Sequence, residues 1–390
     1  MHVENKHNCT GCGACYNICP QNAISMLGDK YGFYKPIIDN SKCVHCSLCE
    51  KVCPLDKKFT QDVDPKVFAL INKDEKTRLK CASGGAFALF ATQIINEGGV
   101  VYGVVWDENI IACHTRTDNL IDLEKMYSSK YVQSNIKNTF KQAKSDLEKG
   151  TQVLFSGTPC QIAGLKSYLK KEYENLITID LVCHGAQSPL IFEKYKKEFM
   201  KDKKDEKLIN INFRSKIVKW SQSYLTTITT NKNIYNMKND YYTKAMDLTL
   251  NTSCLSCKFI GKYRTADISI GDFWGVNEFD KSLNDNKGTS ILLINNQKGY
   301  HILNKVLNCC LLKEVPYEAA VKRNPNIKRP SIENPKRIVF LDKICVNNRN
   351  IKKCAKKYLT PPIHIRLYRL LPLFAKDIIK YNILKMEKEC

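Results

Sequence analysis

The chain has 390 residues, 43% hydrophobic and 26% charged, the make-up of an ordinary soluble globular protein of two or three domains. No run of about eighteen apolar residues occurs and Met1–Asn8 carry no apolar signal region, so neither a membrane-spanning helix nor a secretory leader is expected. Without a leader, the 19 cysteines point to a reducing cytoplasm and away from disulfides. The formal charge of +22 favours an acidic protein partner or an anionic surface; no nucleic-acid-binding motif accompanies it, so no nucleic acid is expected as a partner.

The first predicted element is a cysteine framework. Cys9-Thr-Gly-Cys12-Gly-Ala-Cys15-Tyr-Asn-Ile-Cys19-Pro20 and Cys43-Val-His-Cys46-Ser-Leu-Cys49-Glu-Lys-Val-Cys53-Pro54 share the spacing C-x2-C-x2-C-x3-C-P. In bacterial two-cluster ferredoxins, three thiolates so spaced wrap one face of an iron–sulfur cube, and the fourth, before proline, ligates the other cube. This spacing assigns Cys9, Cys12, Cys15 and Cys53 to one 4Fe-4S cluster, and Cys43, Cys46, Cys49 and Cys19 to a second. Zinc sites or a disulfide framework are the alternatives, but zinc motifs pair C-x2-C halves rather than repeat this run. Each such cluster with its thiolates carries about −2, so three of them would lower the net charge to about +16. The first copy continues through residues 23–27 and a turn into an extended strand at 32–38. The second copy has no obvious closing strand, so the module, residues 1–58, is expected to lean on the domain beyond the polar linker 56–65.

The overall class read from the sequence is α+β: a two-cluster ferredoxin-like module followed by a mixed α/β domain over 66–300. Strands are predicted at 67–71, 100–105, 152–155, 176–182, 266–270 and 290–294. Helices are predicted at 84–96 and 161–171, and a hairpin-rich insertion at 208–236. Strand–helix–strand order over 152–182 implies a parallel pair with a right-handed crossover. Residues 301–390 read as a basic C-terminal extension. Its amphipathic stretch 363–374 suits either peripheral contact with an anionic membrane or packing on the protein itself.

Four further cysteines stand apart. Cys160 follows Pro159 where a strand meets a helix N-terminus, and Cys183 ends the next strand in Asp180-Leu-Val-Cys183-His-Gly185. Both are expected at the carboxyl edge of one sheet, where open α/β folds bind ligands. With Cys254-Leu-Ser-Cys257 they make a third 4Fe-4S site; packing cysteines beside a zinc pair is the alternative. Cys81, Cys113, Cys309, Cys310, Cys345, Cys354 and Cys390 have no paired context. The turns Ala82-Ser-Gly-Gly-Ala86 and Ser156-Gly-Thr-Pro159 open helices and let backbone amides approach a pyrophosphate, although neither is a G-x-G-x-x-G fingerprint.

These turns, Ser129-Lys-Tyr-Val-Gln-Ser134, Gly157-Thr-Pro-Cys-Gln161, Asp180-Leu-Val-Cys-His-Gly185, the 254/257 pair and Ala266-Asp-Ile-Ser-Ile-Gly-Asp-Phe-Trp-Gly275 occur in order. Together they resemble the family of coenzyme F420 hydrogenase/dehydrogenase beta subunits, in a bacterial form with an N-terminal ferredoxin, over roughly residues 1–300. The resemblance implies that the mixed α/β domain is a flavin-binding one, with FAD beside an iron–sulfur cluster held by Cys160, Cys183, Cys254 and Cys257. It places Ser83, Gly84, Gly85, Lys130, Gln133, Ser134, Gly157 and Thr158 along the flavin.

The function so implied is an iron–sulfur flavoprotein oxidoreductase. Electrons from a ferredoxin or other donor pass through 4Fe-4S clusters to FAD, and a hydride goes to an organic acceptor. That acceptor is a small-molecule or sugar-linked substrate, with surface-polysaccharide metabolism as one setting. His184 is the candidate proton donor, with a structural role as its alternative. Asp267 and Asp272 anchor either the flavin or the local turn. The competing functions are a non-catalytic electron-transfer subunit and an iron–sulfur structural protein without FAD.

Overall fold

Val67, Ala69 and Leu70, Val153 to Phe155, and Ile291 to Ile294 are continuous apolar runs with both faces buried, which is what strands inside a covered sheet require. In a computed structural model of the chain, the described residues are Val3, 8–59, 63–220 and 225–360. Among them no helix is long and apolar enough to cross a membrane. The amphipathic stretch 363–374 and Cys390 lie outside the described residues.

In the N-terminal module α1 (Ala14–Ile18) follows the first cysteine loop, and β1 (Ile24–Gly28) and β2 (Tyr34–Ile38) form an antiparallel hairpin with Ile24 opposite Ile38. The second copy has α2 (Leu48–Lys51) and closes in a short 3-10 turn, Pro54–Asp56, instead of a strand. It leans on the larger domain: Ser167 Oγ donates to the Val52 carbonyl at 2.6 Å, and Lys258 Nζ to that of Leu55 at 3.4 Å.

The larger domain runs β3 (Lys66–Asn72), α3 (Glu75–Lys80), α4 (Ala86–Asn96), β4 (Val100–Trp106), β5 (Ala112–Thr117), α5 (Leu120–Met126), α6 (Thr139–Glu148), β6 (Val153–Gly157), α7 (Pro159–Leu169), β7 (Leu176–Leu181) and α8 (Pro189–Met200). Then come β8 (Leu208–Asn212), β9 (Leu225–Thr230), β10 (Ile234–Lys238), β11 (Ile268–Asp272), β12 (Ser290–Ile294) and β13 (Cys310–Glu314). One eight-stranded sheet has the order β13-β3-β12-β11-β7-β6-β4-β5. Its centre, β4, β6, β7 and β11, is parallel, and the flanking pairs are antiparallel. The hairpin-rich insertion is a separate antiparallel sheet, β10-β9-β8.

The helix that positions the site starts for local reasons. Thr158 and Gln161 form a reciprocal capping box, and Pro159 occupies the first turn of α7, where its missing N–H costs nothing. Residue 300 is not a break in the fold: β13 is an edge strand paired with β3, and Ile351, Cys354 and Ala355 of the later helix Ile351–Leu359 share a core with Ile191 and Tyr195 of α8. The periodicity of 310–314 is too short and half exposed to announce a strand.

Candidate functional site

The loops after β6, β7 and β11 leave the carboxyl edge of the sheet and border one cavity of about 790 Å³. Cys160, Cys183, Cys254 and Cys257 all line it, although 97 residues separate the first from the last. Backbone amides are aimed at two of these sulfurs: Gly185 N–H at Cys183 Sγ and Ala186 N–H at Cys254 Sγ, each at 3.3 Å. Gly185 is needed there, since its φ of +124° and a Cβ position 3.0 Å from Cys254 Cβ leave no room for a side chain.

The electrostatics explain what such a pocket would hold. Burial lifts the Cys257 thiol to about 12 and Cys254 to about 11, with Cys160 adding to both; Cys183 is raised by burial, then by Cys254, Cys160 and Cys257. In the N-terminal module burial, then Cys9, Cys53 and Cys49, raise Cys15 to about 12, and Cys12 is raised by burial, then by Cys15, Cys9 and Cys160. Thiols crowded in this way ionise near neutral pH only beside a multiply charged cationic partner. Among the described residues no group of His, Cys, Asp or Glu is close enough for a single metal ion. A four-iron cube, whose thiolates stand farther apart, suits the all-cysteine donor set. All 18 described cysteines are free of disulfides.

The two cysteine sites meet across α7. Gly164 lies one turn beyond Cys160, and a Cβ there would sit 3.0 Å from Cys12 Sγ and 3.1 Å from Cys12 Cβ. Thr10, inside the first cysteine run, lines the same cavity as Cys160 and accepts a hydrogen bond from Gln133 Nε2 through its carbonyl at 3.1 Å. By contrast, Cys46 and Val44 of the second run are exposed, Val44 at 59%.

Of the residues placed along a flavin by resemblance, Ser83, Gly85, Lys130, Gln133, Ser134, Gly157 and Thr158 line the cavity. Gly84 does not, because it packs against the Leu70 carbonyl and the Ser290 backbone. Several of these side chains are committed to the wall. Gln133 bridges the two modules, accepting from Tyr34 N–H at 2.8 Å and donating to the Thr10 carbonyl at 3.1 Å. Ser134 Oγ accepts from Gln161 Nε2 at 3.0 Å and lies 3.3 Å from His114 Nδ1, whose pKa burial lowers to about 4. Thr158 Oγ1 donates to Gln161 Oε1 at 3.0 Å and contacts Cys160 Sγ at 3.1 Å.

Lys130 Nζ donates to the carbonyls of Lys125 and Tyr127 at 2.8 Å, and burial lowers its pKa to about 7. Lys216, which carries no sequence signal, reaches the same end of the cavity wall. It donates to the Arg78 carbonyl at 2.8 Å and to that of Ser83 at 2.5 Å, and burial lowers its pKa to about 7. His184 lines the cavity and is lowered by burial, against the charges of Asp247 and Asp272. Asp272 and Trp274 are also on the wall, and Arg214 joins them: its guanidinium pairs with the Asp272 carboxylate at 3.2 Å and lies 4.8 Å from the Trp274 ring centre. Asp267 is not on it; its carboxylate accepts from Thr178 N–H and Oγ1, each at 2.6 Å, and so joins β7 to β11.

An all-cysteine relay module seated on a cavity-bearing α/β domain defines a class, that of modular iron–sulfur proteins. Similarity to known proteins specifies it. Residues 8–57 match the 4Fe-4S dicluster domain, and residues 150–319 match the family described as the C terminus of the coenzyme F420 hydrogenase/dehydrogenase beta subunit. The F subunit of the F420H2 dehydrogenase of Methanosarcina mazei is 22% identical over 53% of this chain and 59% of its own length. The coenzyme F420-dependent sulfite reductase of Methanocaldococcus jannaschii is 25% identical over 76% of this chain, which spans 46% of that protein. The chain thus spans about half the length of these two relatives. A chain of the F420-reducing NiFe hydrogenase complex from Methanosarcina barkeri aligns over 77% of this chain and 94% of its own, at 16% identity and a TM-score of 0.44.

Proposed function

We propose that this protein is an iron–sulfur flavoprotein oxidoreductase, taking electrons from a protein donor at the N-terminal module and reducing an organic acceptor in the 790 Å³ cavity. The observation that carries this reading is the packing of Cys12 on Gly164 of α7 with Thr10 in the lining of the cavity, which sets the first cysteine site against the cavity wall. Cys9, Cys12, Cys15 and Cys53 would hold one 4Fe-4S cluster, Cys43, Cys46, Cys49 and Cys19 the second, and Cys160, Cys183, Cys254 and Cys257 a third. Iron–sulfur clusters supply single-electron transfer, and FAD in the cavity would supply hydride transfer. Gly85, Gly157 and Thr158 offer the close backbone approach that a dinucleotide needs, and His184 stands on the wall as proton donor. The free cysteines suit a reducing compartment such as the cytoplasm.

Anaerobic purification with iron and flavin analysis tests the reading. About twelve irons, four for each of three clusters, and one FAD per chain are expected; eight irons and no flavin would overturn it. The relative named as a dehydrogenase subunit favours a second reading, a non-catalytic relay within a larger assembly. Steady-state turnover by the isolated chain separates the two, with a deazaflavin among the first acceptors to assay because two relatives are named for coenzyme F420.

Two further results are expected. Lys130, with a pKa of about 7, loses its charge as pH rises through neutrality, so a phosphate-bearing dinucleotide is held best below pH 7. Retention should then weaken by up to about tenfold per pH unit above it, and Lys130→Met should flatten the profile in a flavin-fluorescence titration. At the other end, exposed Lys51, Lys57 and Lys58 lie in or just after the second cysteine run, where Cys46 is exposed. An acidic donor protein should show a salt-weakened KM, and Lys51→Glu with Lys57→Glu should raise that KM several-fold at low salt. An unchanged salt profile would place the donor elsewhere.

A further inference from the structure

We propose that His114 fixes the polarity of the Ser134 hydroxyl, so that the cavity wall there offers only a hydrogen-bond acceptor, matched to the imide N–H of a bound flavin ring. The inference rests on the reading of the cavity as a flavin site.

Ser134, His114 and Gln161 are all buried, and Ser134 and Gln161 line the cavity. A chain of hydrogen bonds joins them between two backbone groups whose roles cannot change. At one end the Thr158 N–H, which can only donate, gives to Gln161 Oε1 at 2.9 Å. That orients the amide, and Gln161 Nε2 donates to Ser134 Oγ at 3.0 Å. At the other end the Ser156 carbonyl, which can only accept, lies 3.1 Å from His114 Nε2, so that nitrogen carries the proton. Burial lowers the His114 pKa to about 4, so the ring is neutral and its Nδ1 is an acceptor. The Ser134 hydroxyl, 3.3 Å from Nδ1, supplies the donor that this buried nitrogen needs.

The surroundings hold the chain in this order. The His114 ring is stacked on Phe155, with centres 5.6 Å apart and planes 15° apart. Its backbone N–H donates to the Asn135 carbonyl at 2.9 Å, which ties it to the segment that carries Ser134. At Gly157 a Cβ would stand 3.1 Å from Gln161 Oε1 and 3.5 Å from His114 Nε2, so the absence of a side chain there leaves both groups in place.

A serine hydroxyl ordinarily donates or accepts as its rotor turns. Here Ser134 gives its proton to His114 and one of its two lone pairs to Gln161, so a ligand meets the remaining lone pair. This order is independent of the redox state of the ligand, because both ends of the chain are peptide groups. The imide nitrogen of a flavin ring, N3, is likewise a donor in the oxidised and the reduced forms, whereas N5 gains its hydrogen only on reduction. A constant acceptor suits the constant donor. His114 is thus a positioning residue that acts on the ligand through Ser134.

The test is flavin exchange on the cluster-loaded full chain, with FAD competing against FAD methylated at ring N3 and the released flavin read by fluorescence. Wild-type protein should prefer FAD by at least about tenfold, the effect of one buried hydrogen bond and the acceptor left unmet without it. Ser134→Ala should bring that preference down to about twofold or less. Both ligands are compared on the same variant, so a general loosening of the site cancels. His114→Phe frees the hydroxyl and should weaken FAD binding several-fold, whereas His114→Gln, whose amide carries the same acceptor and donor, should restore it. An undiminished preference in Ser134→Ala would overturn the proposal, as would His114→Gln binding FAD as weakly as His114→Phe. Wild-type protein that holds no flavin would instead overturn the flavin reading on which it rests.

Discussion

Cys254→Ser is expected to lower the iron content from about twelve to about eight per chain, with both N-terminal clusters intact. The reason lies in how Cys254 is held. Its sulfur accepts the Ala186 N–H at 3.3 Å and packs beneath Gly185, so the position is preset for a large, polarisable thiolate. A serine hydroxyl is shorter and does not ionise near neutral pH, so it replaces neither the reach nor the charge. Donor-driven reduction of the flavin should fall by more than about 100-fold, the upper range seen when mere supporting groups of metal sites are removed. Iron analysis and stopped-flow absorbance read both effects. Unchanged iron in the variant would show that Cys254 is not a ligand.

Gly164→Val should uncouple the two modules. At this position of α7 even a methyl group meets Cys12 Sγ at 3.0 Å, and the branched side chain of valine extends farther. Overpacking of this kind costs about 1–3 kcal/mol, which the chain can relieve by moving the loop Cys9–Cys12 away from the helix. That loop carries Thr10, which lines the cavity together with Cys160, so the relief acts directly on the contact between the two cysteine sites. The expected result is a lower Tm and slower flavin reduction by the protein donor, with reduction by a small chemical reductant unchanged. Gly164→Ala should give a smaller change of the same sign. A donor-driven rate equal to that of the wild type in Gly164→Val would mean that electrons take another route.

Much of the fold was legible because its signals are local. The strands near 100, 153, 176 and 290 are apolar runs, and α7 begins with a proline and a capping box that occupy four consecutive residues. The insertion near 208–236 showed its alternation and folds as β8 to β10. The edge strand β13 was not legible, because Cys310-Leu-Leu-Lys-Glu314 is short and owes its state to pairing with β3, some 240 residues earlier. The same distinction runs through the site. Cys160 and Cys183 announced themselves at strand ends, and Gly157 and Thr158 through the turn they share. Lys216 belongs to no motif; its significance comes from the Ser83 carbonyl, which only the folded chain brings to it.

The sequence by itself determined the chemistry of this protein's donors: eight cysteines in two repeated runs, whose spacing is enough to wrap a cube because the ligands are neighbours along the backbone. Tertiary structure decided how that framework relates to the rest. Packing of the Cys9–Cys12 loop on Gly164 and convergence of Cys160, Cys183, Cys254 and Cys257 on one cavity both depend on contacts between segments tens to hundreds of residues apart. Spacing cannot encode such contacts, since they follow from the parallel order of β6, β7 and β11, which brings their carboxyl ends to one edge of the sheet.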